Sequence, residues 1–217
     1  MPDDVEPNAD ADESARAADG RVPGARGQAT RQRLLDVTAE LLAVGAYRDL
    51  RVVDIARAAE TSPATFYQYF GDVEAAVLVL AAQLAETGAA ELTELVTSGD
   101  WQAEPEVAAR TLADGVLRFF ARHAALIRVL DLAVLEGDDR FRDLRTWLLN
   151  GLTSELERVV AAALEPSGLS PKAVAGVATS SLVHVAAHQS GLEQWGVTRD
   201  ELVDALAAPI ADLMARR

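Results

Sequence analysis

The chain has 217 residues, enough for one large domain or for a small domain joined to a larger one. Half of its residues are apolar and none is cysteine, which excludes disulfides and cysteine-ligated metal sites. The net charge of −14 argues against a general binder of polyanions, so any contact with nucleic acid has to come from a local distribution of charge. Alanine and leucine dominate and aromatic residues are few, so an all-α fold is expected. No apolar run is read as transmembrane and the N-terminus has no signal-peptide core, so a cytoplasmic protein without membrane contact is expected.

Residues 1–27 are polar, rich in Ala, Gly and Pro, and without periodicity, and are expected to form a disordered acidic tail. Residues 1–24 hold seven acids against Arg16 and Arg21, a net of −5. Residues 25–72 hold six arginines and six acids and are neutral, which leaves −9 for the remainder. Arg21 and Arg26 are candidates for an arm reaching a DNA minor groove; the alternative is a solvated leader with no role.

A first helix is expected from Thr30 to Val44, stopped at Gly45, with Leu34, Leu35, Thr38, Leu41 and Leu42 on its apolar face. Arg31 and Arg33 fall in its first turn, where cations oppose the helix dipole. A DNA phosphate there would relieve that opposition. The alternative is a pair of ordinary surface arginines.

The stretch Asp54–Phe70 reads DIARAAETSPATFYQYF and divides into two short helices with a tight turn at Glu60-Thr61-Ser62. Ile55 and Ala59 share one face of the first. Ser62 is a good N-cap, and Pro63 suits the first helical position because its missing N–H costs nothing there. Phe66 and Phe70 face a core, leaving Thr65, Tyr67, Gln68 and Tyr69 outside. This is a helix-turn-helix arrangement, whose second helix fits the DNA major groove. Ser62, Thr65, Tyr67 and Tyr69 are candidate phosphate donors, Pro63 and Ala64 are candidates to meet a thymine methyl, and Gln68 can pair with adenine N6 and N7.

The run Thr30-Arg31, Leu34-Leu35, Ala39, Leu42, Gly45, Leu50, Val52, Ile55-Ala56, Ala59, Ser62, Thr65-Phe66-Tyr67, Tyr69-Phe70 and Glu74 resembles the N-terminal domain of the TetR family of bacterial transcriptional regulators. The resemblance covers roughly residues 28–75. It implies base contacts at Pro63, Ala64, Thr65 and Gln68, and phosphate contacts at Tyr67 and Tyr69. Three positions depart from the family pattern. Val73 replaces a frequent phosphate-binding lysine, Arg51 a frequent capping threonine, and Val53 a usually polar residue. Arg51 is a candidate substitute for the lost cation.

Beyond Gly71-Asp72, a long helix is expected to Thr97, N-capped by Asp72 and carrying Val73, Val77, Leu80, Leu84, Leu92 and Leu95, with Gly88 a weak point. Further helices are expected at 104–123, 125–135, 141–164, 171–195 and 199–215, about nine in all. The expected layout is a tail (1–27), a three-helix DNA-binding domain (28–72) and a helical ligand-binding and dimerisation domain (73–217).

Val174, Ala178, Ser181, Val185, His188 and Leu192 make one stripe, and Leu202, Leu206, Ile210 and Leu213 another. The resemblance implies that these last two helices pair with their copies in a homodimer, as a palindromic operator needs. The alternative is that both stripes pack inside one subunit. Pro209 is expected to kink the last helix. The resemblance also implies a ligand cavity among the middle helices, with Phe119, Phe120, Leu130, Trp147, Val183 and His184 as candidate contacts and Leu126, Leu148 and Leu152 nearby. Few cations lie among them, which points to an apolar or cationic small molecule.

His184 and His188 stand four apart, a chelating spacing, but interface or core packing is the expected role, with no metal and no cofactor. Glu136, Asp138 and Asp139 read as a solvated loop rather than an acid–base pair. No nucleophile elbow or phosphate loop is present, so no enzymatic activity is expected. The expected function is a dimeric, sequence-specific DNA-binding regulator, a repressor released by a ligand. The alternatives are a helix-turn-helix adaptor that binds a protein and an all-α enzyme.

Overall fold

The computed structural model describes residues 24–164 and 168–215. The leader through residue 23, and with it Arg21 of the suggested arm, lies outside the described residues. Among the described residues there are ten α-helices, one short 3-10 turn and no strand. The chain divides into two compact units, Met1–Ala82 and Gln83–Arg217.

In the first unit, α1 (Ala25–Val44) starts five residues earlier than expected, because Gly24 rather than the Thr30 region supplies the cap. Gln28 N–H reaches the Gly24 carbonyl at 2.9 Å, closing a turn ahead of Thr30. Arg31 and Arg33 are therefore not in the first turn, and the dipole argument for a phosphate there falls. Leu34, Leu35, Val37 and Leu42 are buried, and the buried Thr38 hydroxyl donates to the Leu34 carbonyl at 2.7 Å. Gly45 ends the helix in extended geometry, its N–H bonded to the Leu41 carbonyl.

A 3-10 turn (Tyr47–Asp49) leads to α2 (Val52–Ala58), which begins two residues before Asp54. Arg51 is its N-cap and gives no side-chain cap. Helix α3 (Pro63–Tyr69) follows a turn in which Glu60 adopts φ 54°. The turn is closed by Thr61 N–H to the Ala56 carbonyl at 2.8 Å.

Helix α4 (Val73–Thr97) is capped by Asp72, whose Oδ1 accepts from Ala75 N–H at 2.7 Å. It supplies residues to both units. Its length and a mean hydropathy of 1.4 meet the requirement for crossing a membrane, contrary to the expectation that no run does. About a third of that apolar stretch is buried against protein, including Val77, Ala81, Leu84 and Ala85, while Leu92 and Val96 are buried nearer its end.

The second unit adds α5 (Pro105–Arg122), α6 (Ala124–Leu135), α7 (Asp139–Leu164), α8 (Pro171–Ala187), α9 (Gln189–Gln194) and α10 (Arg199–Ala215). The single helix expected over 171–195 is broken at His188. There φ −111° leaves the helical range, and its N–H is shared between the His184 and Val185 carbonyls. Gln189-Ser190-Gly191 follows, a weak helix-forming sequence.

Leu112, Leu117, Phe119, Leu152 and Leu156 form the fully buried centre. Thr198 and Glu201 make a reciprocal capping box at the start of α10, with Thr198 N–H donating to the Glu201 carboxylate at 2.7 Å. Arg199, in the first turn of α10, donates to Asp114 Oδ1 at 2.8 Å and to the Asp114 carbonyl at 3.0 Å on α5. Helix α10 passes through Pro209 without ending.

Candidate functional site

Helix α3 is fixed from both sides of its sequence. Ser62 Oγ accepts from Thr65 N–H at 3.1 Å and exchanges a hydroxyl bond with Thr65 Oγ1 at 3.0 Å, while Pro63 occupies the first helical position. Phe66 is fully buried and Phe70 nearly so, their rings 5.4 Å apart. Burying two phenyl rings from a seven-residue helix contributes several kcal/mol, about 1.5–3 for each ring. That holds a helix too short to persist alone.

The outer face is what remains. Ser62, Pro63, Ala64, Tyr67 and Gln68 are exposed, and Thr65 and Tyr69 are half-buried. Tyr67 is 53% exposed, yet its ring meets Phe66 edge-on at 5.9 Å, so it packs and presents its hydroxyl together. No residue from Ser62 to Phe70 is charged. The structure thus places Ser62, Pro63, Ala64, Thr65, Tyr67, Gln68 and Tyr69 on one short capped helix.

The arginines of this unit divide into two sorts. Arg31 is half-buried, its guanidinium carbon 5.2 Å from the Phe70 ring centroid, so it braces the end of α3 by cation–π contact. Burial lowers its pKa from the ordinary value. Arg26, Arg33, Arg48, Arg51 and Arg57 are exposed. Arg57 has a 3.4 Å ion pair with Asp54, and Arg48 a loose one with Asp49 at 4.0 Å.

In the second unit an open groove of about 1470 Å³ lies among the end of α5 and α6, α7, α8 and α9. Phe120, Val183 and His184, expected at a ligand site, line it. The other three candidates stand elsewhere. Phe119 is in the closed core, Leu130 is buried in α6 and is not part of the lining, and Trp147 is 49% exposed on α7. The groove also holds Arg128, Arg145, Asp131 and Glu193, so the expectation of a lining poor in cations is not met. Arg145 Nε donates to Asp131 Oδ1 at 3.0 Å. These residues are fourteen apart on different helices and left no local signal in the sequence.

His184 and His188 stack at 4.3 Å on the groove wall, and His188 Nδ1–H donates to the His184 carbonyl at 2.8 Å. Among the described residues no group of three or more His, Asp or Glu converges as a metal site would. Asp138, read from sequence as loop, is held by Arg140. That bond, against a smaller desolvation cost, keeps its carboxyl below the usual range.

The core beside the groove is closed by glycines. A Cβ at Gly88 would stand 2.6 Å from Phe119 Cζ and 2.9 Å from Leu148 Cδ1. One at Gly115 would meet Leu95, and one at Gly151 the Thr93 hydroxyl. Phe119 of α5 thus fills a notch on α4, and Leu95 of α4 fills a notch on α5.

The two expected dimer stripes fare differently. Leu202, Leu206 and Ile210 are 7–9% exposed and pack within the subunit, so the α10 stripe does not face outward. A helical stripe shows that a face is buried but not against which partner. On α8, Ser181 of the expected stripe is exposed together with Ala173, Val177, Ser180, His184 and Ala187, and all six also line the groove, with Val177 68% exposed.

Residues 34–78 match the family described as bacterial regulatory proteins, tetR family, and residues 92–211 match the tetracyclin repressor-like C-terminal domain. The latter alone spans more than half of the chain. No curated protein matches the sequence.

Among solved structures, the chain is similar to the fatty acid degradation regulator FadR from Bacillus halodurans. The two are 17% identical, covering 89% of this chain and 96% of that one, with a TM-score of 0.60. It is also similar to Bacillus subtilis FadR in complex with stearoyl-CoA, at 17% identity, coverage of 86% and 98%, and a TM-score of 0.60. Thermus thermophilus FadR, a transcriptional repressor in complex with lauroyl-CoA, is 22% identical, with coverage of 86% and 94% and a TM-score of 0.53. At these identities the likeness concerns the fold.

Proposed function

This chain belongs to the TetR family of bacterial transcriptional regulators, and from that premise we propose that it is a homodimeric, sequence-specific DNA-binding repressor released by a small-molecule ligand. The observation that carries the reading is α3: a helix capped by Ser62, anchored by Phe66 and Phe70, and presenting Pro63, Ala64, Tyr67 and Gln68 outward. In the bound state Gln68 pairs with a base edge, Pro63 and Ala64 meet a thymine methyl, and the hydroxyls of Ser62, Thr65, Tyr67 and Tyr69 set the register on phosphates. Arg33 and Arg51 add phosphate charge, while Arg31 acts through α3 by holding Phe70. A non-enzymatic protein acting on DNA in the cytoplasm fits this reading.

Two copies are needed to read a palindrome, with recognition helices about 34–36 Å apart on one face of the duplex. The small, exposed residues of α8 support self-association, and because they also line the groove, a second copy seated on them would help to close it. The α6–α8 groove is the ligand site of choice, with room for a long-chain molecule. Because two similar structures hold acyl-CoA thioesters, such thioesters are the first ligands to test. A ligand releases DNA only to the extent that it binds the DNA-incompetent state more tightly.

The test is a titration against DNA from just upstream of the coding region, repeated across salt concentrations. Gln68→Ala is expected to relax sequence preference, costing about 1–3 kcal/mol on the preferred site. Tyr67→Phe is expected to weaken all sequences alike. Binding no tighter than to random duplex, there and in a selection from random DNA, would reject the reading in favour of a protein-binding adaptor.

A further inference from the structure

Arg128 and Asp131 of α6 both line the groove, at a spacing of three residues that suits an ion pair along one helix face. That pair does not form. Arg145 reaches across from α7 and donates through Nε to Asp131 Oδ1 at 3.0 Å. Arg128 is exposed on the groove wall, and its guanidinium has no ion pair or hydrogen bond among the described residues. A second group is left in the same condition. Gln189 Nε2 donates to Glu193 Oε1 at 2.7 Å, which fixes the amide, because the flipped form would set two acceptors together. Gln189 Oε1 is then a buried acceptor with no donor among the described residues, and Gln189 also lines the groove.

These groups gather toward one end. Helix α7 ends at Leu164 and α8 starts at Pro171, so the two neighbours run antiparallel, and Thr153 Oγ1 lies 3.3 Å from Thr179 Oγ1. Arg145 is eight residues before Thr153 and Ala187 eight after Thr179, about 12 Å along each helix, so the Arg145–Asp131 pair stands level with the α8 end near His188. Gln189 and Glu193 follow directly in α9, and Arg128 is one turn from Asp131. At the opposite end, none of the groove residues from Ala173 to Ser181 is ionisable. Phe120, Ile127, Leu149 and Val183 add apolar wall. From Ala173 to Ala187 the α8 wall is about 21 Å long, enough for an extended dodecyl chain.

We propose that the groove takes an amphipathic monoanion: an apolar chain whose head carries one carboxylate, paired with Arg128, and a hydroxyl or amide N–H that donates to Gln189 Oε1. The inference deepens the reading of the groove as the ligand site and rests on it.

Charge selects the head. Asp131 is taken by Arg145 and the Glu193 carboxylate by the Gln189 amide, so Arg128 is the charge left to meet a ligand. A cationic head is repelled by it, and a neutral head leaves it unused. The four charges of the lining, Arg128 and Arg145 against Asp131 and Glu193, sum to zero, and residues 73–217 carry a net −9. That accommodates one anion on Arg128 but opposes a head with several, which sets this occupant apart from an acyl-CoA thioester.

The experiment is a calorimetric titration of the full-length protein with dodecanoate, 3-hydroxydodecanoate, N-dodecanoylglycine, dodecanol and dodecanoyl-CoA, each below the concentration at which it forms micelles. One of the two donor-bearing carboxylates is expected to bind about two- to tenfold tighter than dodecanoate, the gain of one hydrogen bond, and the one that does so identifies the donor. Arg128→Gln is expected to weaken all three carboxylates by about tenfold, the low end for a bond to a charged group, and dodecanol far less. Gln189→Leu is expected to abolish the gain from the donor. Circular dichroism melts check that both variants fold.

Dodecanol binding as tightly as dodecanoate, an equal loss of dodecanol and carboxylates in Arg128→Gln, or no gain from either donor overturns the proposal. So does a shift of Arg128→Gln from dimer to monomer in light scattering, which would make Arg128 a contact between copies. If dodecanoyl-CoA binds tightest and ignores both substitutions, the groove remains the ligand site and this inference fails. If no probe binds, the reading of the groove fails with it, and the DNA titration still judges the regulator.

Discussion

Gly88→Ala sets two effects of opposite sign against each other. Gly88 lies in the interior of α4, where alanine is favoured by about 1 kcal/mol on helix propensity. Propensity alone therefore predicts a more stable protein. The notch predicts the reverse. The new methyl would stand 2.6 Å from Phe119 Cζ and 2.9 Å from Leu148 Cδ1, and these side chains are 0% and 2% exposed. The Phe119 ring has no open side to move into, since Phe120 lies 6.0 Å from it and His123 4.8 Å. Overpacking of this kind costs about 1–3 kcal/mol, so the net expectation is a loss of up to about 2 kcal/mol.

Urea unfolding followed by circular dichroism reads the change as a lower midpoint at constant slope. Phe119→Leu makes room, so the double variant should be more stable than the sum of the single effects predicts, by at least about 1 kcal/mol of coupling. A Gly88→Ala protein more stable than wild type, or single effects that simply add, refutes the reasoning.

Glu60 holds φ 54° without being glycine, a conformation that costs an ordinary residue about 1–2 kcal/mol. Glu60→Gly is expected to raise the unfolding midpoint by a fraction of that, because glycine loses more freedom on folding. Ser62→Ala removes the α3 cap at a cost of about 1 kcal/mol, and the amides of Thr65 and Phe66 should exchange with solvent faster.

His123 is half-buried against Phe119. Burial first, and then Arg122, lower its pKa, with Glu91 opposing. Between its ordinary pKa of about 6.5 and the lower folded value, the unfolded chain binds more protons, so stability should fall as pH falls through that window. In His123→Gln, that slope of the urea midpoint against pH should flatten.

The first unit was legible in the sequence because its signals are local. Ser62-Pro63 marks a helix start within two residues, and Phe66 with Phe70 names the buried face within one turn. The start of α1 was not, because Gly24 caps it without a side-chain bond and leaves nothing distinctive to read.

The second unit was legible as helices but not as a site. Leu202, Leu206 and Ile210 announce a buried stripe, yet whether a partner or the same subunit buries it depends on α5, nearly a hundred residues away. Phe119 was a candidate cavity contact on the family resemblance, whereas the notch at Gly88 makes it part of the closed core. The groove is lined by Arg145 and Asp131, a pair that only tertiary packing brings together.

The absence of charge on α3 bears on how such a protein diverges. With no cation on α3, the proposed contacts separate charge from choice of sequence. On that proposal the arginines of α1 and α2 would supply the charge that holds any duplex, and Pro63, Ala64 and Gln68 the preference among duplexes. After gene duplication, one copy could then drift to a new operator by changes at those three positions, with its arginines and the α3 hydroxyls untouched.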